Sequence, residues 1–266
     1  MEDQLDPGRA DAYLHRIGAE RPASPTAQAL RALQYAHLRT VPFENLSVHL
    51  DEDVSLDPGA LFAKVVDRRR GGFCYELNGA FASLLDALGF EVTLLQARVA
   101  REGGGFGIPY DHLALRVRTA EGTDWLADVG FGALSHFPLR FDERGDQTDP
   151  GGVFRVEEAA GGDLLLRCDG VPQYLLDLRP RALADFEVGA WYHRTSPASR
   201  FTRSLVCSLL TEEGRITLTG RTLKTTLGEG RSEVVLPSDA AVLDAYARHF
   251  GIALDRVPPE PASSGD

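Results

Sequence analysis

"RRRGGFCYELNGAF", residues 68–81, is the stretch that decides how this chain is read. Two glycines break a helical run, one aromatic residue follows, and Cys74 stands where the next helix begins. A helix N-terminus presents unpaired N–H groups and the positive end of its dipole, so a sulfur placed there is favoured as its anion. The thiolate is the nucleophilic form. Gly71 and Gly72 are expected to allow positive φ and the close approach of a substrate. The competing reading is an inert core cysteine, since free Cys is among the most buried residue types. Position alone leaves the two in balance.

Helical texture surrounds this stretch. Downstream, "YELNGAFASLLDALGF" (75–90) puts Leu77, Phe81, Leu84, Leu85 and Leu88 on one stripe that closes at Gly89. Upstream, "PGALFAKVVDRR" (58–69) predicts a shorter helix. In "SPTAQALRALQYAHLRT" (24–40), Ser24 is the expected N-cap and Pro25 the first helical residue. Leu30, Leu33, His37 and Leu38 keep helical spacing until Val41-Pro42 ends it.

From residue 90 the texture changes. "EVTLLQARV", "HLALRVRT", "DWLADVGF", "VFRVEE" and "DLLLRC" are short, β-rich and separated by Gly, Asp and Pro, the pattern of an antiparallel sheet or barrel. After about residue 185 the pattern is mixed. "FTRSLVCSLL", "RITLTGRTLKTTL" and "SEVVLP" read as strands, "SDAAVLDAYARHFG" as a helix, and "PPEPASSGD" as a disordered tail.

Composition narrows the function. The 266 residues are 43% hydrophobic, enough for a substantial core in one large domain or two to three small ones. Net charge is −11, from 28 basic and 39 acidic residues, which argues against nucleic acid or an anionic membrane as partner. No apolar run approaches a membrane span. "MEDQLDPGRADAY" has no apolar core of a signal peptide, so a cytoplasmic location is expected. Cys74, Cys168 and Cys207 are too scattered for a disulfide framework, and the last two are read as core. Without a CxxC or HxxxH pattern, no metal is expected.

A nucleophilic cysteine needs a base, and the base needs a group to orient it. His112 opens the alternating strand "HLALRV" just after a loop. Asp128 ends the apolar run "WLA" before Val129-Gly130, and a carboxylate there needs a partner because burying it alone is costly. Taken singly, each is better explained as an ordinary strand-edge or turn residue. Taken with Cys74, they form a Cys–His–Asp set. "GGGFG" (103–107) lacks the Lys-Ser/Thr ending of a phosphate loop and reads as a strand connection. Arg68, Arg69 and Arg70 read as a solvated helix end, His37 and His49 as structural, and His136, His193 and His249 as lacking acidic partners.

These residues carry a resemblance. "RGGFCYELNGAF" (70–81), "DHLAL" (111–115) and "ADVGFG" (127–132) resemble the three motifs of the arylamine N-acetyltransferases. "YLHRIG" (13–18), "HLRTVPFENLSV" (37–48), "TSPASRFTRSLV" (195–206) and "GRITLTGRTL" (214–223) are similar to that family in the same order. The resemblance implies an α+β fold with a cysteine-protease-like core. Its parts would be an N-terminal helical bundle over 1–90, a central antiparallel β-barrel over 91–190 and a C-terminal α/β lid over 191–256, before a tail at 257–266. It implies a catalytic triad on Cys74, His112 and Asp128. It also implies an acceptor pocket lined by Phe43, Val99 and Phe131, acetyl-CoA as acyl donor, and arylamines, arylhydrazines or N-hydroxyarylamines as acceptors. A homodimer stays open. The same motifs occur in amide synthases that close polyketide macrolactams. A Cys hydrolase of papain or transglutaminase type and a binding module with a vestigial site complete the alternatives.

Overall fold

Helices come first along the chain. α1 (Pro7–Ile17) and α2 (Ala27–Thr40) precede β1 (Phe43–Glu44), α3 (Leu46–Leu50) and α4 (Pro58–Phe62), and α5 (Cys74–Ala87) completes the helical part. The computed structural model describes residues 5–228 and 230–260. α1 starts at Pro7 behind Asp6, whose carboxylate accepts the Arg9 N–H, and α4 starts at Pro58 behind Asp57 in the same way. α2 departs from expectation. Its N-cap is Thr26, whose Oγ1 accepts the Ala29 N–H at 3.2 Å. Pro25 is instead held outside the helix, its carbonyl taking the Ala120 N–H at 2.9 Å.

α5 is buried on nearly every side. Leu77, Phe81, Leu84 and Leu85 have no exposed surface, and Gly89 follows with φ of 86°. Each such side chain contributes about 1.5–3 kcal/mol by leaving water. The helix is therefore the axis on which the other elements pack, and its first residue, Cys74, inherits that rigidity.

Eight strands follow, and every pairing among them is antiparallel: β2 (Glu91–Val99), β3 (His112–Arg118), β4 (Asp124–Ala127), β5 (Leu139–Arg140), β6 (Gln147–Asp149), β7 (Gly152–Glu158), β8 (Leu164–Cys168) and β9 (Val171–Leu176). Their spatial order is β5-β4-β3-β2-β9-β8-β7-β6. The two ends meet through one side chain. Gln147 Oε1 accepts the Arg140 N–H at 2.7 Å, and Gln147 Nε2 donates to the Arg140 carbonyl at 3.1 Å. A single amide thus mimics a ladder pair and draws the sheet into a nearly closed barrel. Ala97, Ala114, Phe154, Val156, Leu166 and Tyr174 fill its interior.

The last part holds α6 (Glu187–Thr195), α7 (Arg200–Arg203), β10 (Val206–Leu210), β11 (Gly214–Thr219), β12 (Thr222–Leu227), β13 (Gly230–Val235) and α8 (Asp239–Phe250). Its sheet runs β1-β10-β11-β12-β13, so β1 from the helical part supplies an edge, pairing Phe43 with Ser208. α8 covers one face, setting Val242, Tyr246 and Phe250 against Cys207, Ile216 and Leu218. The α+β architecture of helices, barrel and lid is as the sequence predicts. Of the expected tail, residues 261–266 lie outside the described residues, while Val257 packs against this third core. Cys207 is core, but Cys168 ends β8 half-buried because that strand stops at the surface turn Asp169–Gly170. No helix among the described residues is long and apolar enough to cross a membrane.

Candidate active site

The turn that delivers Cys74 is pinned by buried charge. Arg70 Nη2 lies 3.0 Å from Glu44 Oε1 and its Nη1 3.1 Å from Glu52 Oε2. Lys64 Nζ donates to Glu76 Oε1 at 2.6 Å and to Ser47 Oγ at 2.8 Å. Glu76 Oε2 in turn accepts the Phe73 N–H at 3.3 Å, capping the start of α5. Arg70 is therefore not part of a solvated helix end, since burial that disfavours its charge is outweighed by the two carboxylates. Burial pushes the Glu76 carboxyl up, and Lys64 opposes it.

Gly71 and Gly72 do not work as expected, because neither has positive φ. Their value is space. A Cβ on Gly71 would run into the Pro42 carbonyl, and one on Gly72 would lie 2.6 Å from Glu76 Oε2. What approaches these glycines is the protein's own backbone and capping carboxylate.

Cys74, His112 and Asp128 come together at the barrel's edge and are only 3%, 2% and 3% exposed. β3 and β4 are neighbours, Leu115 opposite Ala127, which sets His112 and Asp128 side by side. His112 Nε2 sits 2.7 Å from Asp128 Oδ2. Its other nitrogen, Nδ1, is left for a thiol. Burial disfavours a charged imidazole here, but Asp128 outweighs it, the Cys74 sulfur adds hydrogen bonding and charge, and His112 is raised to about 10. Imidazolium is thus the stable form at neutral pH. Cys74 is the first residue of α5, at the end where helix amides lack intrahelical acceptors.

Three residues that sequence reasoning passed over complete the site. Asn78, one turn after Cys74, donates to Asp128 Oδ1 at 2.9 Å and to the Leu113 carbonyl at 2.6 Å. Gln34 on α2 accepts the Asp128 N–H at 3.2 Å. Tyr174 lies 5.3 Å from the His112 ring, and its buried hydroxyl has no hydrogen-bond partner of good geometry. Asn78 had a signal in the sequence: it is an amide on a helix whose other core-facing residues, Glu76 apart, are apolar.

Of the expected pocket residues, Phe131 touches His112 directly, while Phe43 lies on β1 and Val99 on β2. Phe131 meets the His112 ring edge-on at 5.2 Å. Phe43 bridges to Gly72, and Gly132 packs against its ring. Val99 pairs with Tyr174 on the barrel strands, and its N–H donates to Asp111 Oδ2 at 3.1 Å. Among the described residues, no group of three or more His, Cys, Asp or Glu side chains could hold a metal ion.

A buried sulfur at a helix start, beside an imidazolium held by a carboxylate, is chemically equipped for thiol-dependent acyl transfer. Comparison assigns the family. An N-acetyltransferase family model matches residues 26–257. A Mycolicibacterium smegmatis arylamine N-acetyltransferase is 37% identical over 91% of each chain. A Salmonella typhimurium protein named arylamine N-acetyltransferase / N-hydroxyarylamine O-acetyltransferase is 33% identical over 92% of this chain and 89% of its own. The solved structure of the Mycobacterium marinum arylamine N-acetyltransferase in complex with CoA superposes with a TM-score of 0.83 at 33% identity, covering 91% of this chain and 92% of that one. The chain belongs to the arylamine N-acetyltransferase family and is an acyltransferase.

Proposed function

We propose that this enzyme carries an acetyl group from acetyl-CoA to an arylamine, arylhydrazine or N-hydroxyarylamine through an acetyl-Cys74 intermediate. The observation that carries the reading is the His112–Asp128 pair at 2.7 Å, with the Cys74 sulfur as the third member. Cys74 Sγ, as thiolate, attacks the acetyl carbonyl. The bond from that carbon to the CoA sulfur breaks, and the departing thiolate takes the His112 proton. The α5 amides offer hydrogen bonds to the oxyanion. One thioester replaces another, so the acyl group stays reactive. The amine nitrogen then attacks the same carbon, the bond to Sγ breaks, and the nitrogen's proton goes to neutral His112. The ion pair is restored and an amide leaves.

Asp128 holds the imidazole in orientation and stabilises its charged state. An arylamine is uncharged at neutral pH, so Phe131 and Phe43 can lie against its ring without burying a cation. One site used in turn by both substrates gives ping-pong kinetics. Support for the donor and acceptor classes comes from the relatives' names and from the CoA complex of the Mycobacterium marinum protein.

Intact-mass spectrometry tests the reading. Acetyl-CoA alone should add one acetyl group, an arylamine should remove it, and Cys74→Ala should never acquire it. Transfer persisting in Cys74→Ala would overturn the proposal.

A further inference from the structure

A second buried histidine meets the other end of the loop that leads into His112. His193 on α6 places Nδ1 3.0 Å from Ser199 Oγ and Nε2 3.0 Å from Asp111 Oδ1. The Nε2 contact is close but off the line of a good hydrogen bond. Asp111 immediately precedes His112. Its other oxygen accepts the Val99 N–H, and Gly107 packs so tightly on that carboxylate that a Cβ there would collide with it.

One residue earlier, Tyr110 has φ of 59°, in the left-handed region. A non-glycine residue there costs about 1–3 kcal/mol and persists only when its surroundings hold it. Tyr110 N–H donates to Gln96 Oε1 at 2.9 Å, and its carbonyl accepts the Tyr75 hydroxyl at 2.5 Å. α6 presses on the same carbonyl, where Gly189 leaves no room for a Cβ. Two of these restraints, Gly189 and His193, come from one helix. Around His193 stand Asp111 from the loop, Tyr75 from α5, Tyr192 from α6, and Ser199 and Phe201 at α7.

We infer that His193 is a positioning residue for acyl transfer: by holding Asp111 it fixes the backbone from which His112 projects, tying α6 to the reacting pair. The inference rests on the reaction proposed above. It acts through Asp111 and the strand start, not on the reacting atoms.

Two isosteres separate the two ring nitrogens. His193→Gln keeps a donor where Nε2 sits, and His193→Asn keeps one only where Nδ1 sits. Two rates are read at Cys74: acetylation by acetyl-CoA, and carbamidomethylation by iodoacetamide across pH, followed on the Cys74 peptide. The Gln variant should keep most of both rates. The Asn variant should lose about tenfold or more, the scale expected when a reacting group is misplaced by a fraction of an ångström to an ångström. Asp111→Asn should show the same loss, and adding His193→Asn to it should cost nothing further.

An Asn variant equal to or better than the Gln variant overturns the inference, as do losses that multiply in the double variant. Should His193→Asn fail to fold, Asp111→Asn decides alone, since an unchanged Cys74 rate there is equally fatal. Alkylation needs no acyl donor. A wild-type protein that alkylates but never accepts acetyl would sink the transfer reaction, and the order of alkylation rates would still judge His193.

Discussion

Asn78 and Asp128 lock α5 to the barrel: Asn78 Nδ2 donates to Asp128 Oδ1, while Asn78 Oδ1 accepts the N–H of Val129 beside it, both at 2.9 Å. The helix that begins at Cys74 and the strand end that holds His112 are therefore tied together through side-chain hydrogen bonds. Removing the amide strands the buried Val129 N–H and leaves Asp128 Oδ1 with the Gly130 N–H alone.

Asn78→Ala should destabilise the protein by about 1–3 kcal/mol, the cost of leaving buried polar groups without partners. Denaturant unfolding measures that loss. Acetylation of Cys74 should slow in the same variant, because Asp128 loses one of the bonds that orient it. Unchanged stability and rate would show that the lock carries no strain.

Gly130 sits where α5 and the strand end touch. A Cβ there would lie 2.7 Å from the Cys74 Cα and 2.7 Å from Asn78 Nδ2. The first is backbone of a buried helix and cannot yield. Gly130→Ala should therefore cost about 1–3 kcal/mol of stability and abolish Cys74 acetylation. Gly145→Ala, whose Cβ would meet only the flexible Glu143 side chain, should leave both unchanged. Equal tolerance at the two sites would count against the packing argument.

The main architecture and the three residues proposed as the triad are legible because their signals are local. A helix start after Gly-Gly, an alternating strand opening on a histidine, and an acid ending an apolar run are each read within a few residues. What escaped depends on distant partners. Arg70 looks solvated in "RRR", but Glu44 and Glu52 reach it from 26 and 18 residues away and carry it into the core. His193 looks unpaired until the fold brings Asp111 to it. β5 and β6, of two and three residues, are too short for any periodicity; they form by pairing with β4 and β7, and Gln147 links them. Thr26 displaced Ser24 as cap because Pro25 is tied to Ala120.

His37, read as structural, makes a prediction about acid. It is fully buried against Tyr13, its Nε2 2.9 Å from the tyrosine hydroxyl. Burial, with the nearby Arg16 charge adding to it, lowers its pKa to about 3. In the unfolded chain histidine titrates near ~6.5. The unfolded state therefore binds the proton first, and stability falls as pH drops from about 6.5 toward 3. His37→Gln does not titrate and can still bond Tyr13. Between pH 7 and 4 it should lose less stability than the wild type in denaturant unfolding, and equal losses would exclude His37 as a source of the acid limb.

His112 predicts the opposite limb. Its pKa is raised to about 10, against about 6.5 unfolded, because Asp128 and the Cys74 sulfur overcome the burial that disfavours its charge. The folded state keeps the proton longer than the unfolded one. The stability this supplies is fully present below pH ~6.5, declines above it, and is gone once pH has risen through about 10. His112→Gln has no such group. The unfolding free energies of wild type and variant should stay parallel on the acid side of pH 6.5 and converge as pH is raised toward 10. Curves that remain parallel up to pH 10 would mean that the imidazole holds no extra proton in the folded enzyme. The ion pair on which nucleophilic attack by Cys74 depends would then be absent from the resting state.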